Sequence, residues 1–308
     1  MFPSTTTIFL ALAAGIASVA GGPVNGSPRT RNCGTHISDV ELLAAERHFK
    51  INAVPPGRQL MGSGSGASPV INIYWHVIRQ DDTLEGGNVP DSQINDQVDV
   101  LNKAYAPTGL SFNLVNISRS EVTVNAEWFH KAGPETLYQD SMKNTLRIGG
   151  PSDLNIYSVG FTDLPKKYEG VLGYATFPKT YKEEPQDDGI VLLFSSLPGG
   201  SSAPFNEGHT LTHEIGHWVG LYHTFQGGCG AVGDQVHDTV SEAIPSSGCP
   251  VGRKTCKNAE GLDPINNFMD YSQDSCLTEF TKGQIERLQA QMRTYREVEF
   301  PTPKGAES

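Results

Sequence analysis

His213-Glu214-Ile215-Gly216-His217-Trp218-Val219-Gly220-Leu221-Tyr222-His223 is the stretch that decides how this chain folds and what chemistry it carries. On a helix, side chains four residues apart share a face, so the imidazoles of His213 and His217 point at one metal ion with Glu214 beside it. A helix running on unbroken would carry the later residues past that ion. Gly220 accepts a left-handed backbone and turns the chain sharply, which returns His223 as third ligand. Three neutral imidazoles leave a fourth position to water, the donor set of a catalytic zinc site and not of a closed structural one. Zinc lowers the pKa of that water to roughly 7, and Glu214 is the candidate base that takes its proton as attack on a carbonyl begins.

Outward from this motif, the chain is 308 residues long with a formal net charge of -11, which argues against nucleic acid as a partner. No charged residue precedes Arg29. Residues 8–20 (IFLALAAGIASVA) form an apolar run too short to span a bilayer and suited to the core of a signal peptide, with Ser18-Val19-Ala20 as a small-residue cleavage site. Residues 1–20 are therefore read as a signal, the protein as secreted, and no membrane insertion is expected. Asn25 and Asn116 head acceptor sequons for glycosylation on that route. Of five cysteines, those at 229, 249, 256 and 276 cluster late in the chain, and an oxidising compartment pairs them in one of three ways. Cys33 is left over.

Ser38-Asp39-Val40-Glu41 reads as a capping box opening a helix to about Lys50. The Gly/Ser run 62–68 then reads as a flexible linker, and Arg58 before it as a processing point. Residues 21–68 thus form a pro-segment that looks dispensable to the core. The catalytic domain covers 69–300, an upper part to 223 and a lower part 224–300, followed by a tail 301–308. Within it, 70–78 is a β-rich run, and Ile94, Val98, Leu101 and Tyr105 mark one face of a helix over 90–105. Further strands are expected at 111–115, 155–159, 173–177 and 189–194. The active-site helix begins at a cap near Asn206. A loop-like region follows until Thr281-Lys282-Gly283-Gln284, a capping box opening a helix to about Val298.

With Asn267-Phe268-Met269-Asp270-Tyr271, the zinc motif resembles the metzincin clan of zinc peptidases. Within that clan the chain resembles the pappalysin family, in particular its secreted fungal members. The likeness is carried by Arg31-Asn32-Cys33-Gly34-Thr35, the stretch from Gly233-Asp234 to Asp238-Thr239, Gly248-Cys249-Pro250, Asp263-Pro264 and Phe280-Thr281-Lys282-Gly283-Gln284. It covers roughly residues 31–295.

The resemblance implies an α+β, metzincin-like catalytic domain. Its parts are a twisted mixed sheet with a backing helix and the active-site helix, and an irregular, disulfide-tied C-terminal subdomain with a Met-turn and a C-terminal helix. It makes Met269 the hydrophobic floor below the metal and Tyr271 an oxyanion donor. Asp274 becomes the acid at the base of the first primed pocket, favouring Arg or Lys in the substrate. The pairs Cys229–Cys256 and Cys249–Cys276 follow, and so does calcium at Asp234, the Val236 carbonyl and Thr239. Cys33 becomes a switch whose thiolate fills the open zinc position and keeps a precursor inactive. The expected activity is that of a monomeric zinc endopeptidase acting on proteins or peptides. A catalytically silent secreted binding protein on the same scaffold is the alternative, and retention of Glu214 argues against it, since a structural metal site needs no base. No element recognising a free amine is visible, which disfavours an aminopeptidase.

Overall fold

The computed structural model describes residues 30–56, 68–230 and 233–301; the expected signal peptide, Asn25, Arg58 and all but the last residue of the Gly/Ser run lie outside them. The regular elements, in chain order, are α1 (Asp39–Asn52), β1 (Val70–Val77), α2 (Asp91–Tyr105), β2 (Ser111–Arg119), α3 (Val122–Lys131), α4 (Leu137–Leu146), β3 (Asp153–Val159), β4 (Gly173–Ala175), β5 (Ile190–Leu193), α5 (His209–Trp218) and α6 (Lys282–Tyr295).

The five strands form one sheet in the order β2-β1-β3-β5-β4, parallel throughout except that β4 runs antiparallel to β5. Alternation in β1 sends Ile71, Ile73, Trp75 and Val77 to the face that carries α2 and α5. There they meet Ile94, Val98, Leu101 and Tyr105 of α2, the stripe that the sequence periodicity predicts, and Leu211, Ile215 and Trp218 of α5. The opposite face is covered by α3 and α4, whose Trp128, Phe129 and Met142 pack on Tyr157, Val159 and Val191. Those two helices have no counterpart among the sequence expectations. Val122-Thr123-Val124 is β-branched, and the helices are too short for a periodicity to stand out.

Both capping boxes form, Ser38 with Glu41 and Thr281 with Gln284. Strand β2 runs on past its expected end at 115 and β4 stops short of 177, and two helix boundaries differ as well. Helix α5 starts after Gly208, whose φ is +92°, and Asn206 instead donates to Gly200 O at 2.7 Å. Helix α6 stops at Tyr295, short of Val298, because Arg296 leaves the helix to reach inward. Its guanidinium grips Asp188 through two nitrogens at 2.9 and 3.0 Å, donates from Nε to Trp218 O at 3.0 Å and lies 3.6 Å over the Trp218 ring. Trp218 Nε1 completes the set by donating to Asp188 at 3.1 Å. The C-terminal ends of α5 and α6 are thereby tied to the end of the sheet.

Among the described residues from 224 to 281 the chain is irregular apart from a short turn of 3-10 helix, Asp274–Cys276, and an isolated bridge between Asn267 and Glu279. It is held by the disulfides Cys229–Cys256 and Cys249–Cys276, with Cα separations of 5.5 and 5.9 Å, the pairing that the resemblance implies. Each closes a span of 27 residues, stabilising by about 3 to 4 kcal/mol in the chain-entropy model. No helix among the described residues is long and apolar enough to cross a membrane.

The described part of the N-terminal segment is packed against the body of the domain. Arg31, Cys33, Leu42 and Glu46 are buried in the body of the domain, and α1 lies against α6.

Candidate active site

Helix α5 carries His213, Glu214 and His217 on its inner side. It ends as Val219 N and Leu221 N turn back to Ile215 O and Gly216 O, with Gly220 at φ +101° making the turn. A Cβ there would also stand 2.6 Å from Gln291 Cγ, so the position needs glycine twice over. The turn delivers His223. His217 Nε2 then lies 3.2 Å from His213 Nε2 and 3.1 Å from His223 Nε2. A tetrahedron of nitrogens 2.0–2.1 Å from a central zinc has edges of about 3.3 Å, so these imidazoles fit that ion.

The far nitrogens are fixed by carbonyls. His213 Nδ1 meets Phe268 O at 2.7 Å and His217 Nδ1 meets Leu221 O at 2.9 Å. A carbonyl only accepts, so the protons sit on Nδ1 and leave the Nε2 lone pairs for metal. Burial lowers the pKa of all three imidazoles, His217 to about 4, which keeps them neutral ligands. Met269 is fully buried beneath α5, and a Cβ on Gly216 would stand 2.2 Å from its Sδ.

A fourth donor comes from the N-terminal segment. The candidate ligand atoms of Cys33, His213, His217 and His223 all lie within 4.8 Å of one another, and Cys33 is the one free cysteine. Residues 32–35 lie along the free edge of β4: Leu172 N donates to Asn32 O at 2.8 Å, Gly34 N to Gly173 O at 2.8 Å and Ala175 N to Thr35 Oγ1 at 2.8 Å. This seats Cys33 Sγ 3.4 Å and Thr35 Oγ1 3.3 Å from Glu214 Oε2. With residues 31–35 packed over it, burial pushes the Glu214 carboxyl up to about 8, against the hydrogen bond from Cys33 and the nearby charge of Arg31, a burial that is lifted wherever the segment is absent. Gly173 leaves room for Glu214, whose Cγ would lie 2.9 Å from a Cβ there. Tyr271 places its hydroxyl 3.3 Å from His223 Nε2, where it also accepts from Cys33 N at 3.3 Å.

Asp274 is wholly buried, and the buried Arg31 side chain is paired with it. The guanidinium pairs with Asp274 Oδ1, donates to Thr210 Oγ1 at 3.1 Å and to Ser272 O at 3.3 Å, and lies 5.1 Å over the Phe205 ring. Asp274 Oδ2 accepts from Glu207 N at 2.8 Å. The structure therefore gathers His213, Glu214, His217, His223, Met269, Tyr271, Asp274 and Cys33 into one centre. Arg31, Thr35 and Phe268 belong to the stretches that carry the resemblance but have no role assigned from sequence, and Gly173 is not singled out there; each joins the centre through a contact distant along the chain.

Elsewhere, Asp234 is buried, and its Oδ2 and the Thr239 hydroxyl are buried oxygens with no hydrogen-bond partner among the described residues. Asn116 is exposed on β2, the other edge of the sheet.

A model of the peptidase M43 family, described as pregnancy-associated plasma protein-A, matches residues 163–293. An extracellular metalloprotease of Podospora anserina is 42% identical over 92% of this chain and 96% of its own. One from Verticillium alfalfae is 41% identical over 94% and 98%. Mature mirolysin from Tannerella forsythia, solved with a cleaved peptide, superposes with a TM-score of 0.61 at 25% identity, covering 75% of this chain and 96% of that one. A Glu-to-Ala mutant of promirolysin shares the fold with a TM-score of 0.67 at 24% identity, over 86% and 95%.

Proposed function

The chain belongs to the peptidase M43, or pappalysin, family of zinc metallopeptidases, and from that premise we propose that it is a secreted endopeptidase made as a latent precursor, with Glu214 as general base. The observation that carries this reading is the convergence of three imidazole Nε2 atoms beside the Glu214 carboxylate. Zinc held by His213, His217 and His223 supplies Lewis acidity that brings the pKa of water to roughly 7.

Glu214 takes the proton of the attacking water and delivers it to the leaving amine. The Tyr271 hydroxyl, beside His223, donates to the developing oxyanion. Asp274 receives an Arg or Lys side chain that follows the scissile bond, and the seating of Arg31 on it supports that role. Met269 is the floor under the metal ligands.

Latency lies with residues 21–68, the pro-segment. Cys33 takes the fourth ligand position and Arg31 occupies the specificity pocket, so no substrate enters until the segment departs. Asp234, the Val236 carbonyl and Thr239 hold calcium; the unpartnered oxygens of Asp234 and Thr239 suit a hard cation. The enzyme acts as a monomer on proteins or peptides, and Asn25 and Asn116 carry glycans.

The test is cleavage of end-blocked fluorogenic peptides with Arg, Lys or Leu after the scissile bond. It uses processed wild type and Glu214→Ala processed in trans, each with and without a zinc chelator. Loss of cleavage both on chelation and in Glu214→Ala is the expected result. Hydrolysis that survives either treatment would sink the assignment.

A further inference from the structure

The N-terminal segment makes a second buried polar contact with the body, far along the chain from Cys33. Glu46 of α1 is bracketed there by two residues of the body. Arg287 of α6 donates to its two carboxylate oxygens at 3.1 and 2.6 Å, and the Tyr222 hydroxyl donates at 3.0 Å. Neither donor depends on Glu46 for its position. Arg287 Nε is fixed on Gly220 O at 2.9 Å, and the guanidinium lies 4.8 Å over the Tyr222 ring. Gly220 and Tyr222 belong to the turn that returns His223. The Phe177 ring lies 5.4 Å from that of Tyr222 and 5.5 Å from that of His217, so one aromatic side chain separates this contact from the metal ligands.

A cavity of about 230 Å³ adjoins it. Phe177, Pro178, Lys179 and Tyr295 wall it on the body side, whereas His36 and Glu41 close it from the segment. Departure of the segment therefore opens the cavity and strips Arg287 of its carboxylate. The bidentate fork with a neighbouring hydroxyl, held in place by Gly220 O and the Tyr222 ring, is shaped for a carboxylate.

We propose that Arg287 and Tyr222 form a carboxylate-binding exosite, which in the processed enzyme takes a Glu or Asp side chain of a protein substrate on the N-terminal side of the scissile bond. Glu46 is its stand-in within the precursor. The side follows from the path of the segment, which runs from Arg31 at Asp274, past Cys33 at the histidines and along β4, to Glu46. The segment thus covers two charged recognition sites of opposite sign, one on each side of the metal centre. This inference rests on the proposed removal of the segment and on Asp274 serving the residue after the scissile bond.

The experiment uses the full chain, left to process itself and freed of the released segment. Calorimetry compares a synthetic peptide of residues 31–54 with its Glu46→Gln form, which should bind about ten-fold more weakly or worse. Kinetics compare long end-blocked peptides that differ only by Glu or Gln at successive positions before the scissile bond. At the favoured position Glu lowers KM about ten-fold with kcat unchanged, and both Tyr222→Phe and Arg287→Lys shrink that ratio. Equal affinity of the two segment peptides overturns the site, and a KM ratio near one at every position overturns its use for substrate. Absence of hydrolysis in both series, with the calorimetric ratio intact, would instead remove the endopeptidase reading and leave the carboxylate site standing.

Discussion

A Cβ on Gly216 would stand 2.2 Å from the sulfur of Met269. The glycine between the two helical histidines is thus a matter of clearance: α5 passes so close over Met269 that no side chain fits between them. Gly216→Ala forces the helix or the Met269 segment to shift, at a cost of about 1–3 kcal/mol for overpacking. Since the Phe268 carbonyl orients His213, the shift also loosens the metal site. A lower melting temperature and weaker zinc retention are expected. Unchanged melting would mean that Met269 yields without strain.

Cys33→Ala removes the fourth donor and leaves Arg31 and α1 in place. The full-length variant should convert itself faster than wild type, followed as the appearance of the shortened chain on a gel. Identical conversion rates would assign the sulfur a packing role only.

Arg31→Ala leaves Asp274 buried without its cation, and breaking such a pair from one side costs about 3–5 kcal/mol. The precursor should hydrolyse small peptides before any chain cleavage. In the processed enzyme, Asp274→Asn should lose the preference for Arg and Lys with kcat for a Leu substrate retained. An Arg31→Ala precursor as silent as wild type would place the lock elsewhere.

Burial pushes the Asp234 carboxyl up to about 6. Its protonated form is therefore favoured by folding, and the stability it contributes is present below about pH 4 and lost as the pH rises through 6. Calcium would offset that loss. Added calcium should raise the melting temperature at pH 7 much more than at pH 5, and Asp234→Asn should abolish the difference. An equal calcium effect at both pH values would dissociate Asp234 from the ion.

Arg296 is buried against Asp188 and Trp218. Burial by itself raises the Asp188 carboxyl, yet the Arg296 charge and the hydrogen bonds from Arg296, Thr176 and Trp218 hold it below the usual range. Arg296→Leu leaves that carboxylate with the longer Arg147 pair at 3.8 Å and the hydrogen bonds from Thr176 and Trp218, and should destabilise by about 3 kcal/mol in urea unfolding. A loss under about 1 kcal/mol would show that the pair is dispensable.

The histidine motif was legible because its information is local: helical spacing, a glycine turn and a base one residue from a ligand. Strands β1, β3 and β5 were legible as short apolar runs between turn residues, and α2 through its periodic stripe. What escaped depends on contacts between distant residues. Gly173 is unremarkable in sequence, and only the fold brings it against Glu214. Glu46 sits on a helix that reads as part of a dispensable pro-segment, and nothing near it in the chain announces Arg287. Asn206 is a good local cap, but its side chain is bonded to Gly200 O, and the helix begins after Gly208, whose left-handed backbone turns the chain into it.

An odd number of cysteines is a hazard on an oxidising route, because a spare thiolate can attack a formed disulfide and reshuffle it. The precursor withdraws its spare sulfur from such exchange, because Cys33 is buried among the histidines. If the segment is removed as proposed, the odd sulfur goes with it. The protein that remains then holds four cysteines, all paired, with no thiol through which the Cys229–Cys256 and Cys249–Cys276 bonds could be scrambled from within.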